Sequence, residues 1–197
     1  MREQEQRPGR PRSERAHRAI LQAARALLTD EGLPGLSVDA IAAHAGVSKN
    51  TIYRRWPNKA AVLMDAFTEA TSAKLEPPRE GTALMRFRGQ VHRVAQLMSE
   101  PAARRPFVAL VAASQHDPEL ATALRERFVA TRRAVAMGII KEVQQEHPTA
   151  SPMDPDVLID LVYGALYYRL LITGQDLDAA SVDKLLDAVL GPNPENT

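Results

Sequence analysis

Between Ser37 and Lys59 the chain reads SVDAIAAHAGVSKNTIYRRWPNK, and one short run within it crowds together Lys49, Asn50, Thr51, Tyr53, Arg54 and Arg55. Polar and basic side chains of these types suit DNA in a major groove, where base edges present hydrogen-bond donors and acceptors. Such chemistry needs a rigid platform, and the flanking residues predict one. Ser37 can cap a helix carrying Val38, Ile41 and Ala42 at helical spacing. Gly46 tolerates the left-handed backbone that ends a helix, and Val47 can drop an apolar side chain into the angle that follows. Ser48 then starts a short second helix, SKNTIYRR, with Ile52 facing inward. The whole stretch reads as a helix-turn-helix.

The elements around this motif follow from periodicity and breakers. Residues 1 to 11 are charged and proline-containing, which predicts a disordered basic arm; Arg10 or Arg12 could enter an adjacent minor groove or simply attract phosphate. From Ser13 to about Glu31, Ala16, Ile20, Ala23, Ala24, Leu27 and Leu28 line one face of an amphipathic helix. Asp30 to Gly35 ends it. Trp56-Pro57-Asn58 is a tight link in which Asn58 caps a joining helix from about Lys59 to Lys74, with Ala60, Leu63, Met64 and Phe67 as its apolar face. Leu75 to Gly81 is a breaker-rich loop. Beyond it only helical patterns appear: 82 to 99, a restart framed by Pro101 and Pro106, a long helix opened by Asp117-Pro118-Glu119 and reaching Glu146, another opened by Asp154-Pro155-Asp156 and ending at Thr173-Gly174, and a last one capped by Ser181. The expected fold class is all-α, with about nine helices. Its expected domains are an arm over 1–11, a DNA-binding domain over 12–60 and a helical body over 61–197.

Composition narrows the function classes. Of the 197 residues none is cysteine, so disulfides, thiolate metal sites and cysteine nucleophiles are excluded. The N-terminal stretch lacks the apolar core of a secretory signal, and the most apolar segment, 157–172, is interrupted by Asp160 and Arg169. A cytoplasmic protein is expected. The net charge of +1 hides a split: residues 1–60 hold 11 Lys or Arg against 6 Asp or Glu, whereas the rest hold 14 against 18. A basic front on a mildly acidic body suggests a nucleic-acid-facing module carried by a domain with another task.

The same residues bear a family likeness. Gly46-Val47-Ser48, Thr51-Ile52-Tyr53 and Trp56-Pro57-Asn58-Lys59, preceded by Ala23-Ala24, Leu27, Gly32 and Leu36-Ser37-Val38, resemble the DNA-binding domain of TetR-type transcriptional regulators over roughly residues 12 to 70. Gln115 to Glu119 and Leu166 to Gly174 are similar to the ligand-binding and dimerisation domains of that family. The resemblance implies that Ser37, Thr51, Tyr53 and Lys59 contact phosphates, while Lys49, Asn50 and Arg54 or Arg55 face the groove; Ser48 belongs to the same surface. Asn50 departs from the small residue common in the family, and pairs with adenine or is a surface substitution. Trp56, where Phe is common, reads as core. The resemblance also implies a repressor released from operator DNA when a small molecule binds the body and changes the spacing of two reading helices held about 34–36 Å apart in a homodimer. The nearly all-apolar helix from Asp156 to Ile172, paired with that from Pro118 to Glu146, is the expected dimer face.

An inducer pocket is expected from Met64, Phe87, His92, Phe107, Tyr163 and Tyr167, with Gln115 or Arg169 as further polar anchors and Met85 and Met98 as further apolar ones. Plain core packing accounts for any single apolar member equally well. No metal, cofactor or catalytic residue is expected: the histidines show no paired ligand spacing, and Gly-rich phosphate loops and nucleophile elbows are absent. The competing reading is a helical ligand-binding or enzymatic protein whose basic front is no sequence-specific reader.

Overall fold

The computed structural model describes residues 10–30, 32–33, 35–146 and 153–191, and every regular element among them is helical. In order these are α1 (Arg10–Asp30), α2 (Val38–Ala45), α3 (Lys49–Tyr53), α4 (Lys59–Ser72), α5 (Ala83–Ser99), α6 (Pro101–Ser114), α7 (Pro118–Ala123), α8 (Ala130–Glu146), α9 (Pro155–Tyr168) and α10 (Ala179–Leu190). A π-helical stretch, Leu124–Val129, joins α7 to α8 without a break, so the described residues hold nine separate helical rods. A second such stretch, Arg169–Thr173, extends α9, and a 3₁₀ turn, Ala73–Leu75, extends α4. The fold is all-α, as the periodicity predicts.

Two compact units emerge. The first, the head unit, contains the described residues up to Ala70 together with Ala109–Arg127. Its core gathers Ile20, Ala24, Leu27 and Leu28 of α1, Ile41 of α2 and Ile52 of α3, each nearly or wholly removed from solvent. From α4 it takes not only the predicted Ala60, Leu63, Met64 and Phe67 but also Ala61 and Val62, so this helix is covered on several sides.

The second, the body unit, contains Thr71–Val108 and the described residues from Phe128 onward. Phe87, Val91, Val94 and Met98 of α5 pack with Ile139, Ile140 and Val143 of α8, and with Ile159, Val162 and Leu166 of α9. Burying large aliphatic and aromatic side chains of this kind is worth about 1.5–3 kcal/mol each. An ion pair and a hydrogen bond bolt α5 to α10 in antiparallel register. Arg88 donates to Asp187 Oδ1 and to the Gly191 carbonyl, both at 2.6 Å, and His92 Nε2 lies 2.8 Å from Asp183 Oδ1.

Local expectations hold in most places and fail in three. Asp117 and Asp154 cap as predicted, with Pro at the first helical position after each. The start of α1 at Arg10 precedes the expected Ser13, because Pro11 falls in the first turn, where a missing N–H costs nothing. The expected break at Pro106 does not occur: α6 runs through the buried proline, giving up the bond to the Ala102 carbonyl. The last helix is capped by Asp178, not Ser181. The Ser181 N–H donates to Asp178 Oδ1 at 2.7 Å, which places the serine in the first turn. The rest of the arm expected over residues 1–11, the Glu31 and Pro34 contributions to the first turn, and His147 lie outside the described residues.

Candidate functional site

The reading helix is set by contacts within a few residues of it. Ser37 Oγ accepts from the Ala40 N–H at 3.1 Å and fixes the start of α2. Gly46 adopts φ 64°, ending α2, while the Val47 N–H returns to the Ala42 carbonyl at 3.0 Å. That left-handed residue is where glycine is required, since a Cβ there strains the backbone. Ser48 Oγ then accepts from the Thr51 N–H at 3.3 Å and sits 3.0 Å from Thr51 Oγ1. Ile52, 1% exposed, anchors the inner face of α3.

The outer face of α3 is open. Lys49, Asn50 and Arg54 are exposed, and Tyr53 is 51% exposed, a large value for an aromatic ring on a folded domain. Lys49 forms an exposed ion pair with Asp39 at 2.6 Å, whose hydrogen bond and charge raise its pKa. A phosphate or base acceptor can displace such a solvated pair at little cost. Two other basic side chains are committed inward. Arg55 Nη2 donates to the Ser13 carbonyl at 2.7 Å and to Ser13 Oγ, tying α3 to α1. Lys59 Nζ donates to the Leu36 carbonyl at 3.1 Å, just ahead of α2.

Trp56, 2% exposed, is a core residue, as read from sequence. Its ring stacks on His17 at 5.0 Å and 7°, and its Nε1 donates to Asp65 Oδ2 at 2.8 Å. The other oxygen of Asp65 accepts from Arg127 Nη1, also at 2.8 Å. Asn58 Oδ1 caps α4 by accepting from the Ala61 N–H at 2.9 Å. The carboxylate of Asp65 therefore bridges the end of the reading motif and the residue immediately before Phe128.

The body unit contains an open-mouthed cavity of about 300 Å³. Its walls come from Leu75, from Gln90, Val94 and Met98 on α5, from Phe128, Val129, Arg132 and Arg133, and from Ile159, Asp160, Tyr163, Gly164 and Tyr167 on α9. Of the residues expected there, Met98, Tyr163 and Tyr167 line it. Phe107 stands against that wall, stacked on Tyr167 at 5.5 Å and tilted against Phe128 at 5.8 Å. Met64 is buried in the head unit, and Phe87 is buried without lining the cavity. His92 is held by Asp183, Arg169 Nη2 donates to Ser181 Oγ at 3.3 Å, and Gln115 bonds back to the Val111 carbonyl at 3.3 Å.

Sequence reading missed two polar residues of the cavity wall, Gln90 and Arg132. Gln90, 2% exposed, donates to the Leu75 carbonyl at 3.0 Å, while its Oε1 is buried with no partner. Arg132 places its guanidinium 5.9 Å from the Phe128 ring centroid, and its Nε is likewise buried and unpartnered. Both interrupt apolar stripes at helical spacing, Gln90 between Phe87 and Val94, and Arg132 between Phe128 and Ala136. That interruption is the signal that marks them. Burial pushes the Tyr167 phenol up to about 12 and the Tyr163 phenol higher still, and it lowers the Arg132 pKa.

Among the described residues no cluster of His, Asp or Glu could hold a metal ion, and no helix is long and apolar enough to cross a membrane. Comparison with known proteins finds two family models. One described as bacterial regulatory proteins, tetR family, matches residues 20–66, and one described as tetracyclin repressor-like, C-terminal domain, matches residues 77–189. The chain is 38% identical over 184 residues to YdeS of Bacillus subtilis strain 168, an uncharacterized HTH-type transcriptional regulator, covering 93% of this chain and 92% of that one. It is 30% identical over 184 residues to the DNA-binding transcriptional repressor TetR of Mycobacteroides abscessus, covering 91% and 94%. Among solved structures, the TetR family transcription regulator SCO0332 superposes with a TM-score of 0.75 at 30% identity, covering 91% of this chain and 99% of that one.

Proposed function

Since this chain belongs to the tetR family, and is thus a DNA-binding transcriptional regulator and not an enzyme, we propose that it is a homodimeric repressor that leaves its operator when a small molecule fills the body cavity. The observation that carries the reading is the outer face of α3, where Lys49, Asn50, Tyr53 and Arg54 stand exposed on a helix locked by Ser48, Ile52 and Trp56. Lys49, Asn50 and Arg54 read base edges. Ser37, Ser48, Thr51 and Tyr53 approach phosphates, while Arg55 and Lys59, bonded to Ser13 and to the Leu36 carbonyl, brace the helices behind them. Working on chromosomal operators, the protein acts in the cytoplasm.

Two copies are needed to span two half-sites. A surface for pairing runs along α9 and its extension, where Val157, Leu161, Tyr168 and Ile172 are between 46% and 72% exposed at helical spacing. Contiguous apolar exposure of this kind marks an interaction site. Ligand release follows if filling the cavity shifts Phe128, because the preceding Arg127 holds Asp65, and Asp65 holds Trp56. Reciprocity requires operator DNA to weaken ligand binding by the same factor.

A mobility-shift assay on DNA flanking the protein's own gene tests the reading. Wild type binds with an affinity that falls steeply as salt rises. Tyr53→Ala loses at least about tenfold in affinity with unchanged thermal stability, and Leu161→Asp sediments as a monomer. Salt-insensitive or absent binding at low salt overturns the DNA-reading assignment.

A further inference from the structure

We propose that the cavity of the body unit recognises a small, mostly apolar hydroxy acid, its carboxylate held by Arg132 and its hydroxyl donated to Gln90 Oε1. The inference rests on the ligand-release reading above and gives it a chemical class.

Size comes first. A space of about 300 Å³ holds roughly ten water-sized groups at ~30 Å³ apiece, the bulk of a substituted benzene ring or a medium-length alkyl chain. The walls suit such a body: Val94, Met98, Phe128, Ile159 and the rings of Tyr163 and Tyr167 are apolar or aromatic.

Charge decides the anion. The lining carries three charged side chains, and two of them are neutralised: Arg133 pairs with Asp160, and also with Asp156 at 2.7 Å. Among the described residues Arg132 has no carboxylate partner. Its closest oxygen contact is a long one, Nη1 to the Leu75 carbonyl at 3.5 Å, and its Nε has none. A half-buried guanidinium held against Phe128 without a counter-ion gives up part of its hydration, and a ligand carboxylate offsets that loss through charge-assisted hydrogen bonds.

The second polar group fixes the other end. Gln90, a residue of the cavity wall, is 2% exposed and its amide nitrogen is committed to the Leu75 carbonyl, so Oε1 is left as an unpartnered acceptor just beneath the cavity surface. An acceptor in that position calls for a donor on the ligand. A carboxylate supplies none, but a hydroxyl on the same apolar body does.

Calorimetric titration of the full chain with benzoate, the three hydroxybenzoates and the matching hydroxybenzamides tests this, the three isomers covering different separations of the two groups. At least one hydroxybenzoate binds at one per chain, at least about tenfold tighter than its amide and several-fold tighter than benzoate. Arg132→Gln abolishes the preference for acid over amide, and Gln90→Leu abolishes the preference for hydroxybenzoate over benzoate. Thermal unfolding of both variants establishes that they fold; where one does not, the acid-over-amide and hydroxyl preferences of the wild type decide alone. Equal binding of acid and amide, retention of the acid preference in Arg132→Gln, or no binding by any hydroxybenzoate overturns the proposal. Parallel operator-shift assays separate it from the release mechanism: an acid that binds as predicted without freeing DNA leaves the ligand class standing and removes the mechanism, whereas an amide that binds equally and frees DNA does the reverse.

Discussion

The two functional regions of this molecule are built in opposite ways. The reading helix α3 is organised by its immediate neighbours: a serine cap one residue ahead of it, a left-handed glycine two residues earlier, and a tryptophan three residues past its end. The cavity is organised by residues far apart in the chain, with Leu75, Gln90, Arg132 and Tyr163 meeting only because four helical segments pack. The first surface presents polar groups to solvent on a rigid apolar base. The second hides two unpaired polar atoms inside an apolar shell. A surface for DNA works by exposure and spacing, and a pocket for a small molecule works by buried groups that lack a partner until the ligand arrives.

The sharpest break of this contrast comes from removing the base of the reading helix. Ile52 is 1% exposed and is the buried residue of the five-residue α3. Ile52→Ala is expected to cost about 2–5 kcal/mol, transfer and cavity terms together, measured by urea unfolding, and to abolish operator binding although no DNA-facing group has changed. A loss below ~1 kcal/mol would mean that the head tolerates a loose platform and that its local order is not what positions Tyr53.

A smaller effect distinguishes the body. The Tyr167 phenol is raised from 10.0 to about 12 by burial. Below pH 10 the folded and unfolded chains both keep this proton, so the group adds no pH dependence. Between about pH 10 and pH 12 the unfolded chain loses the proton while the folded chain holds it, and stability falls as pH rises. Tyr167→Phe removes that contribution, so the urea midpoint measured from pH 9 to 11.5 declines less steeply in the variant than in wild type; Tyr163, raised by the same cause, supplies the residual slope. Parallel declines would place the Tyr167 hydroxyl in contact with water.

What could be read in advance divides along the same line. Ser37, Gly46, Ser48 and Asn58 act through bonds to residues at most four positions away, so their roles follow from residue type and spacing alone. Trp56 could be assigned to the core, although its partners His17 and Asp65 could not be named. In the body, Tyr163 and Tyr167 were reachable through their i, i+4 spacing. His92 was misdirected by an argument from type. On α5 it stands two positions from Gln90, hence about 200° around the helix, and it faces Asp183 on α10 instead of the cavity. Which of two polar residues on one helix enters a cavity depends on which neighbour covers each face, and that is a property of packing.

The smallest expected effect tests the rule that local signals are the trustworthy ones, at the place where such a signal pointed to the wrong residue. Both Asp178 and Ser181 are residues that cap helices readily, and they are spaced three apart. The bond runs from the Ser181 N–H to Asp178 Oδ1 at 2.7 Å, and this bond, with that to the serine hydroxyl, holds the Asp178 carboxyl below its ordinary pKa. Asp178→Ala is therefore expected to lower stability by more than Ser181→Ala does, compared by thermal unfolding at neutral pH. A depressed carboxyl pKa gives stability that is present at neutral pH and lost on acidification through its folded value, so the gap between the two variants closes as the pH approaches the acid range. Equal losses at neutral pH would show that Ser181 also stabilises the first turn, through its hydroxyl contact to Arg169, and that this helix start depends on tertiary packing as the cavity does.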